Sequence, residues 1–117
     1  MPAAVPVSNH PGLEIASHEE SDGLHLDIEG DLDRNNAWAL TAAVIRSDKS
    51  NASRVVVDIG GVAFIDAGGL RAITDAARRA RKRGCDFALA NPTEHVDRLL
   101  RMTGLDNSLN VLGGRHH

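Results

Sequence analysis

Val55-Val56-Val57-Asp58-Ile59 and, a few residues on, Phe64-Ile65-Asp66-Ala67-Gly68-Gly69-Leu70 are the two segments that fix the architecture. The first is a short β-branched run with no polar alternation, which predicts a strand covered on both faces, hence central and parallel. The second leads from an apolar end through an acid and two glycines into a helix. Leu70, Ile73, Ala77 and Ala80 line one face of that helix, and Gly84 marks its end as a left-handed C-terminal cap. Ala77 and Ala80 have little bulk, so the helix can lie close to a sheet.

Upstream, Leu24, Leu26 and Ile28 alternate with His25, Asp27 and Glu29, the period of a strand with one wet face. The turn signal Glu20-Ser21-Asp22-Gly23 joins it to an edge strand beginning at Leu13 and Ile15. From Asn35 the period becomes helical, with Trp38, Thr41 and Ile45 read as the buried stripe, flanked by Ala37, Leu40 and Val44. Asp33 or Asn35 can cap this helix, which ends near Arg46.

Downstream, Phe87, Ala88 and Leu89 form a short strand. Asn91-Pro92-Thr93-Glu94 reads as a capping sequence with Asn91 as the cap, followed by a helix through Val96, Leu99, Leu100 and Thr103 that stops at Gly104. Leu109 to Leu112 is a last short strand or the start of a helix. Two early strands followed by alternating helix and strand give an α/β domain with a mixed sheet.

Residues 12–112 make one domain, between a proline-rich leader at 1–11 and a tail at 113–117, both expected to be flexible. A chain of 117 residues buries roughly two-thirds of its unfolded surface, enough for one core. Its 42% hydrophobic and 25% charged residues are ordinary for a globular protein. No apolar run reaches the ~20 residues of a membrane span, and no secretory signal opens the chain, so a cytoplasmic protein without membrane insertion is expected. A net charge of −3 and 3% aromatic residues argue against direct nucleic-acid binding. The single cysteine, Cys85, permits no internal disulfide and reads as a small hydrophobe. The six histidines, His10, His18, His25, His95, His116 and His117, show no compact ligand spacing, so no metal site is expected. With no nucleophile–base pair and no cofactor loop, neither enzyme activity nor a cofactor is expected.

Gly30-Asp31-Leu32-Asp33, Val55-Val56-Val57-Asp58-Ile59, Phe64-Ile65-Asp66-Ala67-Gly68-Gly69-Leu70, Asn91-Pro92 and Thr103-Gly104-Leu105 occur in an order and spacing that resemble a STAS domain of the anti-sigma factor antagonist family, over nearly the whole of residues 12–112. The resemblance implies a mixed sheet of four or five strands with helices packed mainly on one face. It also implies partner switching: the unphosphorylated antagonist docks on an anti-sigma factor, often an ATPase-type serine kinase, and phosphorylation of a hydroxyl breaks the contact. An alternative implied role is that of an accessory STAS subunit of an ABC-type lipid or anion transporter.

The family's phosphoacceptor stands two residues after the acid, on an exposed loop at a helix N-terminus where free N–H groups suit a phosphate. Here Gly68 occupies that position and Ala67 the accompanying one, so no acceptor is expected there. Thr74, the nearest downstream hydroxyl, falls two turns into the helix. Asp33, Arg34, Asn35, Asp66, Ala67, Gly68, Gly69 and Leu70 are the expected partner-binding residues. Asp66 reads either as a partner anchor or as the N-cap of the central helix, Asp33 likewise, and the two glycines either admit a partner's backbone or relax a tight turn. An acidic substitution at Gly68 is expected to weaken docking. The run Arg78-Arg79-Ala80-Arg81-Lys82-Arg83 reads as a solvated face with cations suited to a helix C-terminus, or as a phosphate-binding patch.

Overall fold

A computed structural model describes residues 5–10, 12–21, 23–47 and 51–113. The chain runs β1 (Val5–His10), β2 (Leu13–Glu20), β3 (Gly23–Leu32), α1 (Ala37–Ser47), β4 (Arg54–Ile65), α2 (Ala67–Lys82), β5 (Asp86–Ala90), α3 (Glu94–Met102), a 3-10 turn (Leu105–Asn107) and β6 (Val111–Leu112). The strands lie in one sheet in sequence order. β1, β2 and β3 are antiparallel neighbours, whereas β3, β4, β5 and β6 are parallel. Each parallel step is joined by a helix, as parallel pairing requires.

The helices share one face. Leu24, Leu26 and Ile28 of β3, Val55, Val57 and Ile59 of β4 and Leu89 of β5 form one core with Leu40 and Val44 of α1, Ile73 and Ala77 of α2, and Val96 and Leu100 of α3. The alternate strand residues Val56, Ala88 and Ala90 form a separate small cluster that includes no helix residue. β4 thus buries both faces over 55–57, as its unalternating run predicts. The alanine-rich face of α2 (Ala72, Ala76, Ala77, Ala80) is buried with Ile73 and lets the helix pack against α1 and the sheet.

Three expectations are corrected. Val5–His10 is not a loose leader but a strand paired with β2, in a register that slips between Pro6 and Ser8. The open edge of β2 offers unpaired N–H and C=O groups, and the slip accommodates the proline. The sheet therefore has six strands, one beyond the expected range. In α1, the buried positions are Ala37, Ala39, Leu40, Ala43, Val44 and Ser47, while Trp38, Thr41 and Ile45 face outward. Small residues fill the space against α2 and leave no room for an indole. Finally, Thr93 caps α3, its hydroxyl accepting from Val96 N–H, and Asn91 does a different job. Asn91 has φ 57°, and its side chain donates to Asp58 Oδ2 at 2.9 Å. The tail beyond Gly113 lies outside the described residues.

Candidate functional site

β3 and β4 end side by side, Leu32 paired with Ile65, and the chain after each strand turns over the same edge of the sheet. After β3, Asp33 Oδ1 accepts from the N–H groups of Asn35 (2.9 Å) and Asn36 (3.2 Å), and its carbonyl accepts from Ala37 N–H (2.8 Å). Asp33 thereby caps the turn that feeds α1. Asn36, which the sequence places on the same rim as Arg34 and Asn35, is instead buried and closes the turn: its Oδ1 accepts from Asp33 N–H and its Nδ2 donates to the Asp31 carbonyl.

After β4, Asp66 is the N-cap of α2, its Oδ1 accepting from Gly69 N–H at 2.9 Å. Its other oxygen accepts from Arg34 N–H at 3.2 Å. One carboxylate therefore ties the β3–α1 turn to the start of α2, across 32 residues of sequence. The Gly69 N–H above all, then the N–H groups of Arg34 and Gly68 and the Arg34 guanidinium, hold the Asp66 carboxyl below its ordinary range against the opposing effect of desolvation.

Gly68 and Gly69 exist for close approach. A Cβ on Gly68 would lie 2.5 Å from Arg34 Cβ and 2.7 Å from Arg34 Cα, and one on Gly69 would collide with the Leu32 carbonyl oxygen. Around them, Ala67 is exposed, Gly69 buried, and Leu70 half-buried against the core. The structure thus brings Asp33, Arg34, Asn35, Asp66, Ala67, Gly68, Gly69 and Leu70 to one rim at the C-terminal ends of two parallel strands. Thr74 lies further along α2, half-buried, with its hydroxyl donating to the Arg71 carbonyl.

Two aromatic residues close to these segments in sequence are also exposed, which the sequence pattern hides. Trp38, four residues beyond Arg34, is 57% exposed, and Phe64, two before Asp66 and paired across the strands with Asp31, is 48% exposed. Large half-exposed aromatics are characteristic energetic centres of protein interfaces. Their signal in the sequence is that they are two of only three aromatic residues in the chain.

Elsewhere, Arg78 pairs with Asp75 at 3.1 Å, and Arg79, Arg81, Lys82 and Arg83 are exposed, as a solvated helix end requires. Cys85 is buried, with its Sγ 3.5 Å from the Ala52 carbonyl oxygen. It borders an open cleft of about 450 Å³ between Arg54, Arg81 and Asn110, at the opposite end of β4 from the rim. The residues best disposed to hold a metal among those described are His18, Glu20 and His25, which the β2–β3 register brings together although their linear spacing does not show it.

Comparison with known proteins agrees with this architecture. An anti-sigma factor antagonist from Mycobacterium paratuberculosis superposes with a TM-score of 0.78 at 19% identity, covering 90% of this chain and 89% of that one. The phosphorylated form of the Bacillus cell fate determinant SpoIIAA gives 0.64 at 12% identity, covering 88% and 92%. A sulfate transporter family protein from Wolinella succinogenes gives 0.67 at 20% identity, covering 75% and 74%. At such identities the likeness is one of fold. The sequence itself goes further: residues 15–113 match the family described as "Mlab, STAS domain", and the chain belongs to the STAS domain family.

Proposed function

We propose that this protein is an anti-sigma factor antagonist whose docking surface is the rim formed by Asp33, Arg34, Asn35 and Asp66 to Leu70, and that its partner is an anti-sigma factor of the ATPase-type serine kinase class. The observation that carries the reading is the Asp66 carboxylate, which joins the Arg34 turn to the α2 N-terminus, while Trp38 on α1 and Phe64 on β4 stand exposed on the elements that flank it. The surface is preorganised by hydrogen bonds rather than assembled on contact, which lowers the ordering cost of binding. The fold similarity to anti-sigma factor antagonists supports the same role.

Where a phospho-switched relative has a hydroxyl, Gly68 has none, and Arg34 fills the adjoining space. Binding is therefore unswitched at this position, and regulation falls to supply of the protein or to a ligand. The protein acts in the cytoplasm, where such a kinase meets its sigma factor. The test is co-elution with the host's ATPase-type anti-sigma factors in the presence of ATP, with intact mass recorded on the eluted chain. A stable complex without added phosphate mass is expected. Added phosphate mass would overturn the unswitched reading, with Thr74 the first residue to map.

A second reading, an accessory subunit of an ABC-type lipid or anion transporter, draws support from the similarity to a sulfate transporter family protein. Co-purification with a membrane permease, and with none of the kinases, is the result that would favour it.

A further inference from the structure

We infer that the β2–β3 hairpin carries a divalent transition-metal site of the zinc type, with His18, Glu20 and His25 as its ligands and Asp27 as the carboxylate that orients His18. The site lies on the sheet face that points away from Leu24, Leu26 and Ile28, and so away from the helices. His18 and His25 are directly paired across the two strands, and their rings stack at a centroid distance of 5.1 Å and an angle of 25°. Both imidazoles are largely withdrawn from solvent, with side chains 17% and 16% exposed, while Glu20 is half-exposed.

The hydrogen-bond inventory at His18 motivates the assignment. Its Nε2 is 3.0 Å from Asp27 Oδ2, and its Nδ1 is 3.0 Å from Glu20 Oε2. A neutral imidazole has a single N–H. In the neutral ring, once Nε2–H donates to Asp27, the Nδ1 lone pair faces a carboxylate oxygen, and either a second proton or a metal cation between the two satisfies both. The second imidazole supplies the third donor, since His25 Nε2 is 3.9 Å from the other Glu20 oxygen and all three donor atoms lie within 4.8 Å of one another.

Donors around a tetrahedral zinc ion, at metal bonds of about 2.0–2.1 Å, stand about 3.3 Å apart. Glu20 already stands 3.0 Å from His18 Nδ1, and bringing the three donors to that value requires the His25 ring to turn toward the same point along with the exposed Glu20 side chain. Two imidazoles with one carboxylate suit zinc and its transition-metal neighbours better than calcium or magnesium, which prefer oxygen alone. The carboxylate–histidine–metal relay formed by Asp27 and His18 is the common outer arrangement at such sites. Three protein ligands leave a coordination position open to water.

The test is titration of the full-length chain with Zn²⁺ in competition with a chelating dye. His116→Gln and His117→Gln are included so that the tail histidines do not contribute. One equivalent is expected to bind. His18→Gln, His25→Gln or Glu20→Gln should each weaken binding by tenfold or more, and Asp27→Asn by about 10–100-fold. Imidazole NMR provides a readout that does not depend on the variants folding. Addition of Zn²⁺ to the parent chain should move the ring resonances of His18 and His25. Shifts confined to His10 and His95, unchanged affinity in the His18→Gln/His25→Gln variant, or no uptake at a large excess of metal would each overturn the assignment.

Discussion

The backbone of Arg34 fills the space that a side chain on Gly68 would need, and the same residue's N–H is held by Asp66. The lack of a side chain at position 68 and the tight seating of the β3–α1 turn are thus one structural fact. A side chain at 68 requires the turn to move away.

Gly68→Ser, which places a hydroxyl at this position, is accordingly expected to destabilise the fold by about 1–3 kcal/mol, the usual cost of forcing atoms into a packed site. A lower urea midpoint with an unchanged slope, and amide shifts at Arg34, Asn35 and Asn36, would bear this out. Unchanged stability and unchanged shifts would mean that the turn is not seated on Gly68.

Charge and bulk are separable one residue earlier. Ala67 is exposed at the first position of α2, where an acid interacts favourably with the helix N-terminus. Ala67→Asp should therefore keep or slightly raise thermal stability, yet weaken docking on the proposed anti-sigma factor partner by placing negative charge in the rim. Gly68→Asp combines that charge with the clash and reports on neither cleanly. Undiminished affinity of Ala67→Asp, measured by calorimetry, would move the interface off this rim.

The depressed ionisation of Asp66 links the rim to pH. Because its carboxyl titrates lower in the folded chain than its ordinary value of 3.8, the stabilisation from its charged form is fully present above that value. It declines as the pH falls through 3.8 toward the lower folded value. Denaturation midpoints followed from pH 6 downward should therefore fall less steeply in Asp66→Asn than in the parent. Identical pH profiles would show that the carboxylate does not bridge Arg34 and Gly69 in solution.

Local patterns made much of this legible in advance. The alternation at Leu24, Leu26 and Ile28, the continuous run at Val55 to Ile59 and the acid before Gly68-Gly69 each predict an element that forms, because each depends on neighbours near in sequence. What stayed hidden depends on distant partners. β1 exists because β2 has an open edge, which no property of Val5–His10 itself announces. The helical period of α1 could not say which of its two apolar sides meets α2, and size misled: the small Ala39 and Ala43 go inward and the indole outward. Asn91 looks like a cap in isolation, yet Asp58, 33 residues away, takes its side chain. The His18–His25 pair was within reach. The antiparallel register that sets Glu20 opposite Gly23 also places the two rings opposite each other.

The Asp58–Asn91 pair, drawn from two of the five resemblance motifs, accounts for both as structure rather than as binding surface. Asp58 also accepts from Gly60 N–H at 2.8 Å, and Asn91 N–H donates to Leu112, fastening β6 to the sheet. Asn91 holds a left-handed conformation that asparagine tolerates and alanine does not. Asn91→Ala should lose both the conformational fit and the side-chain bond, at roughly 1–3 kcal/mol. Asn91→Gly, which restores the fit alone, should recover part of the loss. If the glycine variant is no more stable than the alanine variant, the backbone argument fails and the bond to Asp58 carries the whole effect.

Trp38 separates binding from folding most sharply. More than half of its surface is exposed beside the rim, so Trp38→Ala should change stability by no more than about 0.5 kcal/mol. The same change should weaken the proposed anti-sigma factor complex at least about tenfold, because tryptophan is among the residue types that dominate such interfaces when buried on docking. A large loss of stability would place the indole in the core after all, against its position on α1. Preserved stability with preserved affinity would leave Trp38 outside the interface and shift the search to Phe64 and the turn around Arg34. The intended result, a folded chain that no longer captures its partner, would make the outward side of α1 part of the docking surface.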